Sequence, residues 1–414
     1  MHNKVVITGM GIWSCIGQDL ETVTDNLRKG KSGIGIMPSR TDYGYQSPIT
    51  GRIPMPDLEN EPLRRAQKTC MAEQAQYAYM AVKQALEMAP LTDRFRVGLI
   101  VSNDSCAAQA AETEAIMDAR HDSRFLGVGA IFRSLNSNVS MSLAQVFRFG
   151  GLSLTVSGAC AGGLHAIGLA TNLIRSGIIQ ACVVVGAQEN GLHAYTAFDA
   201  MGIFSRLTED PRRASRPFDQ SRAGLVPSGG AAALVIESAE HAAMGNRHPI
   251  AEILGYGFST SPDIVHPSTQ DIFRTMNNAV KEADIELRDI DLITAHATAT
   301  VDGDRAEAEA ITALSLFQPP YEGGVGGFPT ENPWVIAPKH LTGHECWMAG
   351  VSQTIYTLLQ MTNGFLTPHE YLTNPDPAAR TLRFPRTLEE VKVKTALING
   401  FGFGGTNASI VIQI

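Results

Sequence analysis

Ser153-Leu-Thr-Val156, then Ser157-Gly-Ala-Cys160, then the apolar run Ala161 to Ile174, then Ala181-Cys-Val-Val-Val-Gly186: this stretch decides the architecture. Its first four residues read as a short strand and Ser157 to Cys160 as a small-residue turn. The run to Ile174 reads as a helix, and Ala181 to Gly186 as a second strand. A further strand at Ala231 to Glu237 closes the series. The same order returns downstream: strand Trp334 to Ala337, a turn through His344, a helix to Met361, strand Thr395 to Asn399, a glycine loop and strand Ala408 to Ile414. The chain is therefore expected to be a duplicated α/β architecture with halves 1–250 and 251–414, matched in pattern rather than residue identity.

Working outward, short strands are expected at Lys4 to Thr8, Val97 to Ser102, Ala251 to Tyr256 and Asp291 to Ala295, with helices over Glu73 to Met88 and Ile272 to Ala283. Hydrophobic residues make up 44 % of the 414, too many for a disordered chain. The 33 bases and 41 acids leave a net charge of −8, which argues against a general nucleic-acid binder. No apolar run approaches the roughly 18 residues of a membrane span. Gly9 and Gly11 interrupt the only N-terminal stretch that could serve export. The six cysteines form no CxxC pair, so reduced thiols and a cytoplasmic location are expected, with no metal site.

Three blocks carry chemistry. Cys160 directly follows a strand and opens a helix, where free N–H groups and the helix dipole stabilise a thiolate; the same setting also suits a buried core cysteine. His296 ends a strand and precedes Thr298, Thr300, Asp304 and Glu307. Lys339 ends another strand five residues before His344.

Together, Ala-Cys160-Ala, His296 with Thr298, Thr300 and Gly303-Asp304, Lys339 with Gly343-His344, and Gly400-Phe-Gly-Phe-Gly-Gly-Thr-Asn407 resemble the β-ketoacyl-[acyl-carrier-protein] synthases. Phe198-Asp-Ala-Met-Gly202 and Ser215-Arg-Pro-Phe-Asp219 extend the resemblance over essentially the whole chain. It implies the thiolase fold, two similar halves in five α/β/α/β/α layers. It also implies decarboxylative condensation of a Cys-bound acyl group with a malonyl thioester carried on acyl carrier protein, with no cofactor. By motif, Cys160 is the nucleophile and His296 and His344 are N–H donors to developing negative charge. Lys339 orients His296. The backbone N–H groups of Cys160 and Phe403 form an oxyanion hole, with Phe403 also a gate. Thr298 and Thr300 hold the pantetheine arm, and Asp304 and Glu307 are supporting positions. The resemblance further implies a homodimer, or a heterodimer with a chain-length-factor subunit.

Departures from the family pattern carry their own expectations. Ala297 replaces a usual Gly, and Gln353 replaces a usual Glu, which leaves Glu307 or Glu345 to balance Lys339. Leu225-Val-Pro-Ser-Gly-Gly230 replaces a Gly-Glu-Gly-Ala-Gly run. Glu345-Cys-Trp347-Met348 adds bulk where small residues are usual, so Trp347 and Met348 are expected to set acyl selectivity unless Trp347 merely fills core. These features are similar to the aryl polyene branch of the family.

Arg64, Arg65, Lys68, Arg124 and Arg133 are candidates for docking the acidic carrier, with an ordinary solvated face as the alternative. Gly9-Met-Gly11-Ile-Trp-Ser14 mimics a dinucleotide fingerprint but lacks its third glycine. A thiolase would need a second Cys where Phe401 and Phe403 stand, and a non-catalytic chain-length factor would lack Cys160. His165 is expected to be a satisfied core histidine.

Overall fold

The computed structural model describes residues 4–316 and 332–414. Ten strands form one mixed sheet: β1 (Val5–Trp13), β2 (Gly98–Ser102), β3 (Ser153–Val156), β4 (Ala181–Gln188), β5 (Gly230–Ser238), β6 (Ala251–Thr260), β7 (Leu292–Thr294), β8 (Trp334–Ile336), β9 (Thr395–Phe401) and β10 (Thr406–Gln413). Their spatial order is β8-β7-β9-β10-β6-β1-β5-β4-β2-β3. Each set of five has the same internal order and sense. In the first, β3, β2 and β4 are parallel while β5 and β1 run antiparallel. In the second, β8, β7 and β9 are parallel while β10 and β6 run antiparallel. The two sets join where Val6 faces Glu252 and Ile7 faces Ala251.

Helices divide the sheet into layers. Helix α1 (Glu73–Met88) packs on β1, β5 and β4, and α3 (Thr269–Glu282) on β6, β10 and α4 (Val301–Leu316). Helices α2 (Gly162–Arg175) and α5 (Ala349–Asn363) lie between, each touching strands of both sets and each other. Every residue of α5 from Ala349 to Met361 is buried, as in a helix covered on both faces, and its buried Thr354, Thr357 and Gln360 donate back to carbonyls of the same helix. This is the thiolase arrangement. Where α2 and α5 cross, a Cβ on Gly163 would stand 2.9 Å from the Gly350 Cα, and one on Gly350 would stand 2.3 Å from the Leu164 nitrogen. Only two glycines allow that backbone contact.

The first strand differs from its expected limits. It continues past Thr8 to Trp13, so Gly9 and Gly11 lie inside a strand and not in a turn before a helix. The reason is α1: a Cβ at Gly9 would meet the Ala85 carbonyl oxygen at 2.4 Å and one at Gly11 that of Ala81 at 2.0 Å. Glycine here lets helix and strand touch, and the nucleotide mimicry is incidental. No helix among the described residues is long and apolar enough to cross a membrane.

Candidate active site

The nucleophile turn is built by one strained residue and one carboxylate. Ala159 has φ of 44°, in the left-handed region, and its N–H donates to Asp104 Oδ2 at 2.8 Å. Asp104 stands in the loop after β2, where burial pushes its carboxyl up against the lowering effect of that N–H. Cys160 then sits in a short 3-10 turn, Ala159–Ala161, directly ahead of α2. It is buried, and Gly402 presses close enough that a Cβ there would lie 3.0 Å from the Cys160 nitrogen. Among the described residues neither Cys160 N–H nor Phe403 N–H has an acceptor in the protein.

From the other half, the turn after β8 brings His344 to Cys160, with Nε2 3.1 Å from Sγ. The proton is assigned to Nε2 from that contact; buried Nδ1 has no partner. The Leu225 to Gly230 run explains how the ring is held. His344 N–H donates to the Val226 carbonyl at 2.7 Å and its carbonyl accepts from Ser228 N–H at 2.9 Å.

His296 lies edge to face with His344, ring centres 5.2 Å apart. Its Nδ1 faces the Lys339 ammonium at 3.5 Å, which puts its own proton on Nε2. Glu307 fixes the backbone beneath: its carboxylate accepts from His296 N–H at 2.8 Å, Ala297 N–H at 2.7 Å and Asn399 Nδ2 at 3.0 Å. Burial, with Lys339 and His344 adding, holds His296 well below the usual imidazole range, so it is a neutral donor.

Lys339 donates to the His296 carbonyl and to Gln353 Oε1. Burial lowers its ammonium to about 8, with Glu307 the chief opposing influence. Gln353 thus keeps the contact expected of a Glu without its charge. Glu345 does not replace it at close range: its oxygens accept from Tyr356 Oη at 2.7 Å and Ser352 Oγ at 2.5 Å.

The Cys160 thiol is held well below its usual range, first by hydrogen bonding from the Cys346 thiol, against burial, and then by His344 and Lys339. Cys346, Cys160, His296 and His344 share the wall of a cavity of about 390 Å³ with Thr298, Thr300, Phe401 and Phe403. The two threonine hydroxyls lie 3.0 Å apart. Tyr195, Phe198 and Phe204 line its apolar side, and Phe403 stacks on Phe198 with ring centres 6.1 Å apart.

Other expected residues lie elsewhere. Asp304 accepts from Phe218 N–H at 2.7 Å and Ala299 N–H at 3.0 Å, so it braces the His296 loop from outside the cavity. Ser215, of the Ser-Arg-Pro-Phe-Asp motif, donates to the Lys339 carbonyl at 2.7 Å. Trp347 and Met348 are absent from the cavity wall. Met348 is fully buried core, and Trp347 stands behind Phe198 with ring centres 6.4 Å apart. Side chains at the start of that turn point inward only as far as Cys346.

The basic candidates also divide. Arg124 pairs with Asp122, Arg133 with Glu112, and Lys68 with the Glu59 carbonyl, while Arg64 and Arg65 are exposed. None of the five lines the cavity. His165 has both ring nitrogens partnered, by Tyr256 Oη at 2.6 Å and Thr406 Oγ1 at 2.7 Å. Sequence reasoning missed Asp104, Tyr195 and the thiol of Cys346 as site residues. The polar run Asn103-Asp104-Ser105 straight after a strand was the available signal for the first.

Comparison with known proteins gives a consistent result. Residues 2–242 match the family model "Beta-ketoacyl synthase, N-terminal domain" and 250–373 match "Beta-ketoacyl synthase, C-terminal domain". The 3-oxoacyl-[acyl-carrier-protein] synthase 1 of Haemophilus influenzae is 34 % identical, covering 99 % of this chain and 98 % of that protein. A β-ketoacyl synthase from Burkholderia phymatum superposes with a TM-score of 0.90 at 25 % identity, covering 99 % of each chain. The ishigamide ketosynthase/chain length factor gives 0.87 at 28 %, covering 100 % of this chain and 99 % of that one.

Proposed function

The chain belongs to the β-ketoacyl synthase family, and from that premise we propose that it works as a 3-oxoacyl-[acyl-carrier-protein] synthase with Cys160 as nucleophile. It is a condensing acyltransferase. The observation that carries the residue assignment is the meeting of Cys160 Sγ with His344 Nε2 at 3.1 Å, beside His296, in one cavity.

The thiolate of Cys160 attacks the carbonyl of an acyl thioester on acyl carrier protein, and the carrier leaves as its thiolate. A malonyl thioester then enters. His296 and His344 donate Nε2–H to its thioester oxygen as CO₂ departs, because the electron pair left behind collects on that oxygen. The enolate carbon attacks the acyl-Cys carbonyl, whose oxygen is held by the N–H groups of Cys160 and Phe403. Cys160 is expelled as thiolate and a β-ketoacyl thioester leaves. Lys339 positions His296, Glu307 its backbone, and Thr298 and Thr300 the pantetheine arm. The Tyr195, Phe198 and Phe204 wall supports a planar, conjugated acyl chain of the aryl polyene kind over a saturated fatty chain.

The repeated strand order supports dividing the chain at residue 250, and six free cysteines support a reducing, cytoplasmic setting. Strand β3 ends the sheet with Leu154 exposed, close in sequence to exposed Leu152. An edge strand carrying exposed leucines supports a dimer, with a second copy or a chain-length-factor subunit. Arg64, Arg65 and Arg124, whose side chain is 89 % exposed while it pairs with Asp122, are the candidates for carrier docking.

Intact-protein and peptide mass spectrometry after incubation with acyl-carrier-protein thioesters tests this reading. The expected result is one acyl adduct, on Cys160. An adduct on another residue, or none with any acyl group, would overturn it.

A further inference from the structure

Between Gly162 and Ala170, helix α2 is made of small and apolar residues except for His165, to which the reaction described above gives no task. Resting on the reading of Cys160 as nucleophile, we propose that His165 is a positioning residue of the oxyanion hole. Its ring fixes the distance between the two N–H groups that hold the tetrahedral oxygen, those of Cys160 and Phe403.

Those two N–H groups come from different halves of the chain. Cys160 sits in the turn that opens α2, while Phe403 sits in the loop 402–405 between the antiparallel strands β9 and β10, which pair through Phe401 and Asn407. The Gly402 N–H donates to the Thr406 carbonyl at 2.8 Å and closes that loop, so the loop follows Thr406. His165 Nε2 lies 2.7 Å from Thr406 Oγ1. The same ring packs on the nucleophile turn, where a Cβ on Gly158 would stand 3.2 Å from its Cδ2. One imidazole therefore touches both pieces of backbone whose separation makes the hole. The gap between them is narrow: a Cβ on Gly402 would stand 3.0 Å from the Ala159 Cβ, 3.0 Å from the Cys160 nitrogen and 3.1 Å from the Thr406 Cγ2.

The ring is itself held at its other end. Tyr256, on β6, places its Oη 2.6 Å from Nδ1, with the two rings edge to face. Gly168 makes room for it, since a Cβ there would fall 2.4 Å from the tyrosine Cγ. Burial keeps His165 below the usual imidazole range, so the ring is neutral, with one nitrogen donating and the other accepting. A hydroxyl can do either, so both partners are satisfied whichever nitrogen carries the proton. This is a strut between two hydroxyls and not a base. On its far side the loop is tied to the end of β6, where Gly404 N–H donates to the Ile264 carbonyl at 2.9 Å and Ser261 N–H to the Gly405 carbonyl at 2.8 Å. The His165 contact is what refers the loop back to α2.

An oxyanion hole works when both donors stand about 2.7 to 3.1 Å from where the oxygen will be, and a displacement of about 1 Å costs on the order of a hundredfold in rate. A tetrahedral oxygen forms twice at Cys160, when the acyl group is loaded and when the enolate carbon attacks it. Loss of CO₂ gathers its charge elsewhere, on the thioester oxygen that faces His296 and His344. Freeing Thr406 should therefore slow the first two steps and spare the third, the reverse of what removal of either of those histidines does.

The test compares the full-length wild type with His165→Phe, Thr406→Val and Thr406→Ser. Valine keeps the shape of threonine and removes only the hydroxyl, which guards against misfolding of the phenylalanine variant. Loading of Cys160 from an acyl-carrier-protein thioester, followed by intact mass, should fall about ten- to a hundredfold in His165→Phe and in Thr406→Val. In both, CO₂ release at saturating malonyl thioester should stay within about twofold of the wild type, as should alkylation of Cys160 by iodoacetamide, which forms no oxyanion. Thr406→Ser, which keeps the hydroxyl, should load at close to the wild-type rate. Undiminished loading in Thr406→Val would overturn the proposal, whatever His165→Phe does. So would an equal loss of loading, CO₂ release and alkylation, which marks a packing role. A wild-type Cys160 that takes up no acyl group would instead overturn its reading as nucleophile.

Discussion

Two turns meet at the active site, each joining a parallel strand to a central helix, and they differ in almost everything but position. The turn between β3 and α2 is short, made of small residues, and ends in a thiol at a helix N-terminus. Its counterpart between β8 and α5 is longer, fully buried, and carries Lys339, His344 and Cys346. The loops beside them differ likewise: the one after β2 supplies Asp104 and the one after β7 supplies His296. Topology sets where polar groups can converge, and the turn residues decide which side attacks and which side donates.

That division of labour is broken most severely by Cys160→Ala, which removes the only attacking group. Condensation should fall on the order of 10⁴-fold or more with the fold kept, as measured by product formation and circular dichroism. A wild-type rate would move the nucleophile to the other turn.

The donor side is weaker residue by residue. His344→Ala or His296→Ala should slow CO₂ release from malonyl thioester by about 10² to 10³, while acyl loading of Cys160 suffers less. Equal loss in both steps would mean that the histidines serve the nucleophile alone.

Lys339 sharpens the comparison through pH. Its folded value of about 8 lies below the 10.5 of the free side chain. Between those values the unfolded chain holds a proton that the folded one has released, so stability rises with pH across that window; below it the cost of burying the charge is present in full. Relative to Lys339→Met, the wild type should gain up to about 3 kcal/mol between pH 8 and pH 10.5 in denaturant titrations. A constant difference would mean that Lys339 titrates normally.

At the crossing of the central helices, Gly350→Ala should cost about 1 to 3 kcal/mol and slow loading, read from the urea midpoint and acyl-transfer rate. Smallest of all, Met348→Leu should leave the ratio of loading rates for saturated and polyunsaturated acyl thioesters unchanged. A shifted ratio would place the acyl chain deeper than the cavity wall described.

The strands flanking each helix were legible because buried parallel strands read as short β-branched runs, and the echo between residues 153–237 and 334–414 exposed the repeated order. The β1 extension was not, since Gly9 and Gly11 answer to α1, which lies some seventy residues away in sequence. Cys160, His296, Lys339 and His344 were legible because strand ends leading into helices present polar groups. The inward direction of Cys346 rather than Trp347 was hidden, because it depends on one positive φ. The partner of Lys339 was hidden too, since Gln353 reaches it across the fold.

The bare contact between Gly163 and Gly350 sets a mechanical tolerance for the whole enzyme. The reacting atoms ride on separate halves of the chain, yet their spacing is gauged where two backbones touch without side chains between them. A hybrid assembled from the first half of one relative and the second half of another would inherit attacking and donating groups from different parents. It would inherit their working distance only if both parents kept the naked crossing, so the pair behaves as one heritable unit split across the duplication.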